Sequence, residues 1–459
     1  MGDNRPDTRT FLAIFAASLL ALLTAPAANA ADVFAPYPYG AFQLSASAAE
    51  AVATARSAPS TASVTLVTVD ASALGATATL SLPDGSTVDA LRQPDPPGST
   101  TGVGWTGAWD DGRATFVVKG GDITGAIRSG TESYFVTPLG GGVHMIVKVR
   151  EVALPPVDDA IPIPGTSGSA FNPPTASSAN ASTLAGIDLL VVYTSSARAA
   201  YSGDITALIA SQVLLANAMY ASSDAGAVFN LLAAIEIPYD ENSGDGSQAD
   251  YVRVLDALKA GLVPALATVH SKRDELKADV VMLVMNKAHV SVCGAAYWGT
   301  VNGFLSADWA YGEVTIQDNC LTDGTTFAHE LGHIFGAAHD PANSTSAPYQ
   351  PYGYGYQYPF GPDPFRTIMA YPCAGPSCPN NYLFSNPNIT YKGVPNGTAT
   401  NDVARLIRGS ALQVAVFRGP PISAVTPFPT AIDPLTLFGL GLIALAGLGM
   451  RRTRRTGAG

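Results

Sequence analysis

Apolar residues follow two different rhythms along this chain. From about residue 31 to 163 they come in short runs, SVTLVTVD, ATATLSL, RATFVVKGG, SYFVTPL and VHMIVKVREV, alternating or continuous and separated by Gly, Asp and Pro turns. Such runs predict strands, so residues 31–165 read as a β-rich domain. The tract PIPGTSGSAFNPPTASSANASTLAG has no period, and a flexible linker is expected over 166–186. After it, IDLLVVYT reads as a buried strand and DITALIASQVLLANAMY as a helix, followed by the strand-like VFNLLAAIEI, the helical YVRVLDALKAGL and the strand ADVVMLVMN. Strands alternating with helices predict an α/β domain over 187–420 with a mixed, mainly parallel sheet.

The two ends change the picture. Arg5 and Arg9 precede FLAIFAASLLALL, and Ala28-Asn29-Ala30 offers small residues for cleavage, so residues 1–30 read as a secretory signal peptide. At the other end, residues 421–459 hold a proline-bearing spacer, the charge-free run LTLFGLGLIALAGLGM and then RRTRR. Sixteen apolar residues fall short of the roughly 20 that span a bilayer. This layout resembles the C-terminal sorting signals of some exported Gram-negative bacterial proteins, without their usual Pro-Glu-Pro. A secreted, cell-surface or periplasmic protein is expected, with transient membrane association through its tail. Export makes the four cysteines candidates for two disulfides, Cys293–Cys320 and Cys373–Cys378, although four cysteines permit three pairings and sequence does not choose. A formal charge of −11 with no basic face excludes nucleic acid as a partner.

Candidate chemistry is concentrated in HELGHIFGAAHD, residues 329–340, which holds three of the six histidines. Residues four apart share a helix face, so His329 and His333 can meet one ion, with Glu330 within reach of a water beside it. Gly336 permits a sharp exit from the helix, and the turn brings His339 back as a third nitrogen. Three neutral imidazoles and one open position are the arrangement of a catalytic rather than a structural zinc. His144, alone in a strand, reads as structural.

His329, Glu330, His333, Gly336 and His339 reproduce the zinc signature of the metzincin metallopeptidases, and Met369 in RTIMAYP resembles their Met-turn. Asp340 after the third histidine is similar to reprolysin-like members. Tyr371 resembles the tyrosine of astacins and serralysins. IDLLVVYTSSAR and CAGPSCPNNYLFSNPNITYKGVPNG resemble bacterial peptidyl-Asp metalloendopeptidases. The resemblance implies a secreted zinc endopeptidase with one catalytic Zn2+, held by His329, His333 and His339, that acts on proteins or peptides. It also implies a zinc-bound water with Glu330 as general base, Tyr371 as oxyanion donor, and Gly336, Asp340 and Met369 in support. Ser385, Asn386 and Pro387 would wall the pocket after the cut, and YWGTVNGFLSADWAYGEVTI would supply the edge on which substrate lies. YGYGYQYPFG reads as a substrate-contacting loop or a surface-covering insert.

Cleavage before acidic residues is implied, with Arg366, Lys392 and Arg405 as candidate readers. The leading domain resembles a propeptide. No cysteine precedes Cys293, so a cysteine switch is excluded, and Asp158, Asp159, His144 or a steric block could serve instead. Structural calcium is conceivable, but no calcium loop can be read. The alternative is a catalytically idle metzincin-fold module for binding or adhesion, whose mark would be loss of the glutamate.

Overall fold

Short β-prone runs closed by tight turns build the first half of the chain. The computed structural model describes residues 32–38, 43–94, 104–150, 159–163, 184–241, 250–286, 292–299, 305–375 and 377–419. The leader, most of the linker and the C-terminal tail lie outside them. Strands β1 (Phe34–Pro36), β2 (Thr61–Val69), β3 (Thr77–Ser81), β4 (Thr87–Arg92), β5 (Gly104–Trp109), β6 (Gly112–Lys119), β7 (Asp122–Ser129), β8 (Glu132–Gly140) and β9 (Val143–Val149) form one antiparallel sheet. Their order is β1-β2-β9-β8-β7-β6-β5-β4-β3. The two ends meet: Val33 N–H donates to Thr79 O at 2.9 Å, and Ser81 N–H donates to Asp32 at 3.2 Å. The sheet therefore closes on itself and covers its edges. Phe34, Trp105, Phe116 and Tyr134 fill its interior. His144 is buried there and accepts the Ile123 N–H at 3.0 Å, a structural task. An outer helix, α1 (Ala46–Ser57), capped by Ser45, was not expected from the sequence.

The second half carries a six-stranded sheet of β10 (Ala160–Pro162), β11 (Ala185–Thr194), β12 (Ala227–Ile237), β13 (Val280–Met285), β14 (Gly294–Trp298) and β15 (Tyr311–Thr315). The order is β10-β14-β15-β13-β11-β12, and only the β14/β15 pairing is antiparallel. The continuous run VVMLVM reflects cover on both faces. Val280, Met282 and Val284 point into one core, while Val281, Leu283 and Met285 point into the other. Helices α2 (Ser195–Ala200), α3 (Ile205–Ser222), α4 (Asp250–Ala260), α5 (Pro264–Leu276), α6 (Thr326–Ile334) and α7 (Val403–Val414) complete the domain. Residues 160–162, counted with the first domain by sequence, are the outer strand of this second sheet, with Ala160 in register with Ala296.

Helix α3 is apolar around most of its circumference because it is covered on both sides. It packs on β12 and α6 within its own half and on β6 and β7 of the first. Val117, Ala207 and Leu214 meet at that seam. Gly104 lies so close that a Cβ there would stand 2.7 Å from Leu214 Cδ2. Lys119 adds an ion pair to Asp204 at 2.5 Å, and Arg113 donates to Ala218 O at 3.2 Å. The length and apolarity of α3 would suit a bilayer, but 78% of the apolar window is buried within the fold.

Behind the sheet, Asp279 accepts the N–H groups of Asp188 at 3.0 Å and Arg418 at 3.2 Å. Burial raises its pKa to about 6. A carboxyl raised above its unfolded value near 3.9 contributes stability that is fully present below that value and lost as pH rises through 6. Thermal melts between pH 3.5 and 7 should show this loss in the unaltered protein. Asp279→Asn should flatten it; an unchanged slope would count against this account.

Candidate metal centre

The zinc-type helix begins at a partly buried acid. Asp323 Oδ1 accepts the N–H groups of Thr325 and Thr326 at 2.7 and 2.9 Å, and Oδ2 takes both hydroxyls, which starts α6. One turn later His329 and His333 share a face, 4.7 Å apart between ring centroids. The helix stops at Gly336, whose φ of +95° suits glycine alone. A Cβ there would stand 2.4 Å from Tyr349 Cβ. Trp298 Nε1 and Tyr349 N–H both donate to the Gly336 carbonyl, at 3.1 Å each. Past this turn, Ala338 and His339 are laced to Gly353 and Gly355 by backbone hydrogen bonds.

These elements bring three Nε2 atoms together, each 3.1 Å from the other two. His329 Nδ1 lies 2.8 Å from Ile368 O, and His333 Nδ1 lies 2.8 Å from Ala337 O. A carbonyl only accepts, so these Nδ1 atoms carry the hydrogens and their Nε2 atoms present lone pairs. Burial lowers the His333 pKa to about 4, which keeps it neutral. The fourth donor is Asp159, just before β10. Its Oδ1 lies 2.8 Å from His339 Nε2, 3.5 Å from His333 Nε2 and 3.8 Å from His329 Nε2. Burial alone would raise the Asp159 pKa, but His339 and the other two imidazoles outweigh it and hold the acid well below the usual range. Electron pairs converging on one point repel unless a cation lies among them. Three nitrogens and one carboxylate oxygen could hold zinc as a tetrahedral set.

The surroundings are equally close. Gly294 at the start of β14 passes over Glu330, where a Cβ would meet Oε1 at 2.8 Å. Oε2 of Glu330 has no hydrogen-bond partner among the described residues. Burial, then Asp159, Glu313 and Asp323, raises the Glu330 pKa well above the usual carboxylate range. Met369 is fully buried beneath α6, with Sδ where a Cβ on Gly332 would be at 2.6 Å. Tyr371 stacks on His339 at 4.3 Å, and its N–H donates to Asp340 Oδ2 at 3.1 Å. Asp340 also accepts from Asn343, so it ties the ligand loop to the Met-containing turn. Disulfides join Cys293 to Cys320 and Cys373 to Cys378, the pairing expected. The first holds β14 to the loop leading into α6.

A cavity of about 670 Å³ opens beside His329 and Glu330. Its walls come from both halves, with Pro59, Ser60, Lys148 and Arg150 facing Thr325, Arg366, Ile368 and Tyr371. Asn319 Nδ2 pins the halves together there, donating to Ser60 at 2.8 Å and Thr61 at 3.0 Å.

Several assignments need correction. Ser385 and Asn386 are fully buried and do not line the cavity. Ser385 Oγ donates to Tyr354 O and accepts Val403 N–H, while Asn386 donates to Ser223 O, so these two residues anchor the chain. Residues 352–361 also stay out of the cavity. They brace the Met-containing turn: a Cβ on Gly355 would stand 2.6 Å from Met369 C, and Gln357 donates to Tyr371 O at 2.7 Å. Lys392 pairs with Asp363, and Arg405 lies over Tyr352, which leaves Arg366 in the cavity wall. Asp158 lies outside the described residues. Asp159 was one of several candidates for the fourth position, and only strand register could have selected it.

Residues 183–385 match the sequence pattern of metallopeptidase family M12. The chain is 32% identical over 425 residues to a peptidyl-Asp metalloendopeptidase of Stenotrophomonas maltophilia, covering 87% of this chain and 97% of that one. A namesake from Xanthomonas campestris pv. campestris is 32% identical over 386 residues, covering 79% of this chain and 87% of that one. The chain belongs to metallopeptidase family M12. As an M12 metallopeptidase it uses zinc, and the cluster fits that ion in donor type and number. Gly336→Ala, strained in φ and pressed on Tyr349, should cost roughly 1–3 kcal/mol. It should also release zinc at lower chelator concentration; unchanged melting temperature and zinc retention would refute the role given to this turn.

Proposed function

We propose that this chain is the precursor of an exported zinc endopeptidase that cleaves unfolded protein, in which Glu330 moves the protons and Asp159 keeps the site closed. The observation that carries the reading is the convergence of three imidazole Nε2 atoms at 3.1 Å with Glu330 next to them on the cavity wall. Zinc, when bound by His329, His333 and His339, supplies a positive charge that polarises a peptide carbonyl and acidifies water.

The chain's own groups do the rest. With Asp159 withdrawn and the positive charge of zinc beside it, Glu330 would be ionised; it then accepts a proton from the attacking water and returns it to the departing amine at a carboxylate oxygen. Tyr371, stacked on His339, donates to the oxygen that gains charge. The exposed edge of β14 would pair with the substrate backbone once β10 has left it. An acidic preference after the cut is supported by the relatives named peptidyl-Asp metalloendopeptidases. Export is supported by the leader-like run at residues 11–23 and by two disulfides. The idle-module reading is disfavoured because Glu330 is retained beside the imidazoles.

Latency rests on Asp159. Its carboxylate faces all three Nε2 atoms, and β10 holds it there by parallel pairing with β14. Two outcomes follow for the full chain. Glu330→Ala should retain zinc near one equivalent, yet the processed protein should digest casein at least roughly 100-fold more slowly. Full activity with zinc bound would end the proton-transfer role. Asp159→Ala should give unprocessed protein measurable activity that the parent lacks; equal latency in both would show the block to be steric.

A further inference from the structure

Gly294 stands in β14 where the backbone has no need of glycine. Its φ is not positive, it is buried, and it pairs in register with Val314 of β15. Glycine inside a strand weakens it, and close approach by a neighbouring group is a common reason for one. Here the neighbours are a carbonyl of the next strand and Glu330. A Cβ on Gly294 would stand 2.7 Å from Glu313 O, 2.8 Å from Glu330 Oε1 and 2.9 Å from Glu330 Cγ. The floor beside it is equally shallow. Ala296 belongs to the core on which α6 packs, and a Cβ on Gly312 of β15 would lie 2.8 Å from Met282 Sδ and 3.3 Å from Ala296 Cβ. Small residues here let α6 settle onto the outer part of the sheet. Cys293, the preceding residue, is joined to Cys320 in the loop leading into α6, and its O accepts Thr315 N–H at 2.9 Å. Helix and strand are thus tied together at the level where Cys293 and Glu330 both line the cavity.

We propose that Gly294 is a positioning residue for Glu330: the space left by its missing side chain is a notch that seats the carboxylate against β14, the strand assigned above to the substrate backbone. This inference rests on the endopeptidase reading above. A carboxylate that takes a proton from water and returns it to an amine must be accurately placed, and misplacement by about 1 Å can cost about 100-fold in rate. A methyl group in the notch would meet two atoms of unlike mobility. Glu313 O belongs to the backbone of a paired strand, while Glu330 Oε1 ends a rotatable side chain. The carboxylate is therefore the group that yields, and it yields away from the strand on which substrate would lie.

The test is a cycle of Gly294→Ala and Glu330→Asp, singly and together, in the full chain. Aspartate is shorter by a methylene and leaves the notch empty. Melting temperature and zinc content are read on unprocessed protein, and kinetics on processed protein with a single peptide. Gly294→Ala alone should keep about one zinc and lower kcat roughly 30- to 300-fold, with KM changed less than about threefold. In the Glu330→Asp background, itself slower, the same substitution should cost less than about threefold in kcat and should lower the melting temperature less than it does beside Glu330. Should Gly294→Ala fail to fold, the doubly substituted chain should still fold and melt close to Glu330→Asp. Equal losses in both backgrounds, a loss carried by KM alone, loss of zinc, or failure of both alanine-bearing chains to fold would overturn the assignment. If the unaltered enzyme cleaves nothing, the endopeptidase reading fails, and the melting temperatures still decide the notch: additive shifts overturn it.

Discussion

Everything in the second half of this protein is arranged to keep three nitrogen lone pairs pointed at one another. Left alone, that arrangement is repulsive. It persists because two of the imidazoles are locked from behind by backbone carbonyls, Ile368 O on one side and Ala337 O on the other. Those carbonyls belong to the segment around Met369 and to the turn at Gly336, which are in turn held by residues 353–357. The ligand geometry is therefore a property of four chain segments, of which α6 is only one. Rigid support of this kind makes a metal site selective in geometry and supplies the fixed electrostatics a proton-transferring carboxylate needs.

The first half acts on that site through two contacts of different character. One is a set of side chains that covers the cavity and pins the loop before α6. The other is β10, the outer strand of the second sheet that follows the first half in the chain and carries Asp159 to the imidazoles. Main-chain pairing supplies placement, and the carboxylate supplies the charge-specific contact.

Much of this could be read from residue order, and the boundary of legibility has a physical cause. The metal-site histidines were readable because helical periodicity and one glycine turn are local properties. Strands β11 and β13 were readable from continuous apolar runs. Helix α1 buries only Ala48 and Val52, and α5 buries Leu266, Val269 and Arg273, so neither shows the stripe that periodicity detects. In residues 352–361 the aromatic character hides a split: Gly355 and Gln357 brace the Met-containing turn, while Phe360 stands exposed. Ser385 and Asn386 were misread because their partners, Tyr354, Val403 and Ser223, lie far away in the chain. Choosing Asp159 over its neighbour demanded the β10/β14 register, since a slip of one residue turns a side chain to the opposite face.

Helix α3 carries a consequence for any form of the chain that loses its first half. In the intact chain its outer side lies against β6 and β7, with Ala207 and Leu214 shielded by Val117. Loss of the first half would turn that side toward solvent, an apolar stripe with Thr206 and Ser222, the partners of Lys119 and Arg113, at its two ends. The freed peptidase would then survive by the height of its unfolding barrier more than by the depth of its energy minimum, and the time for which it digests would be set by how slowly α3 comes loose.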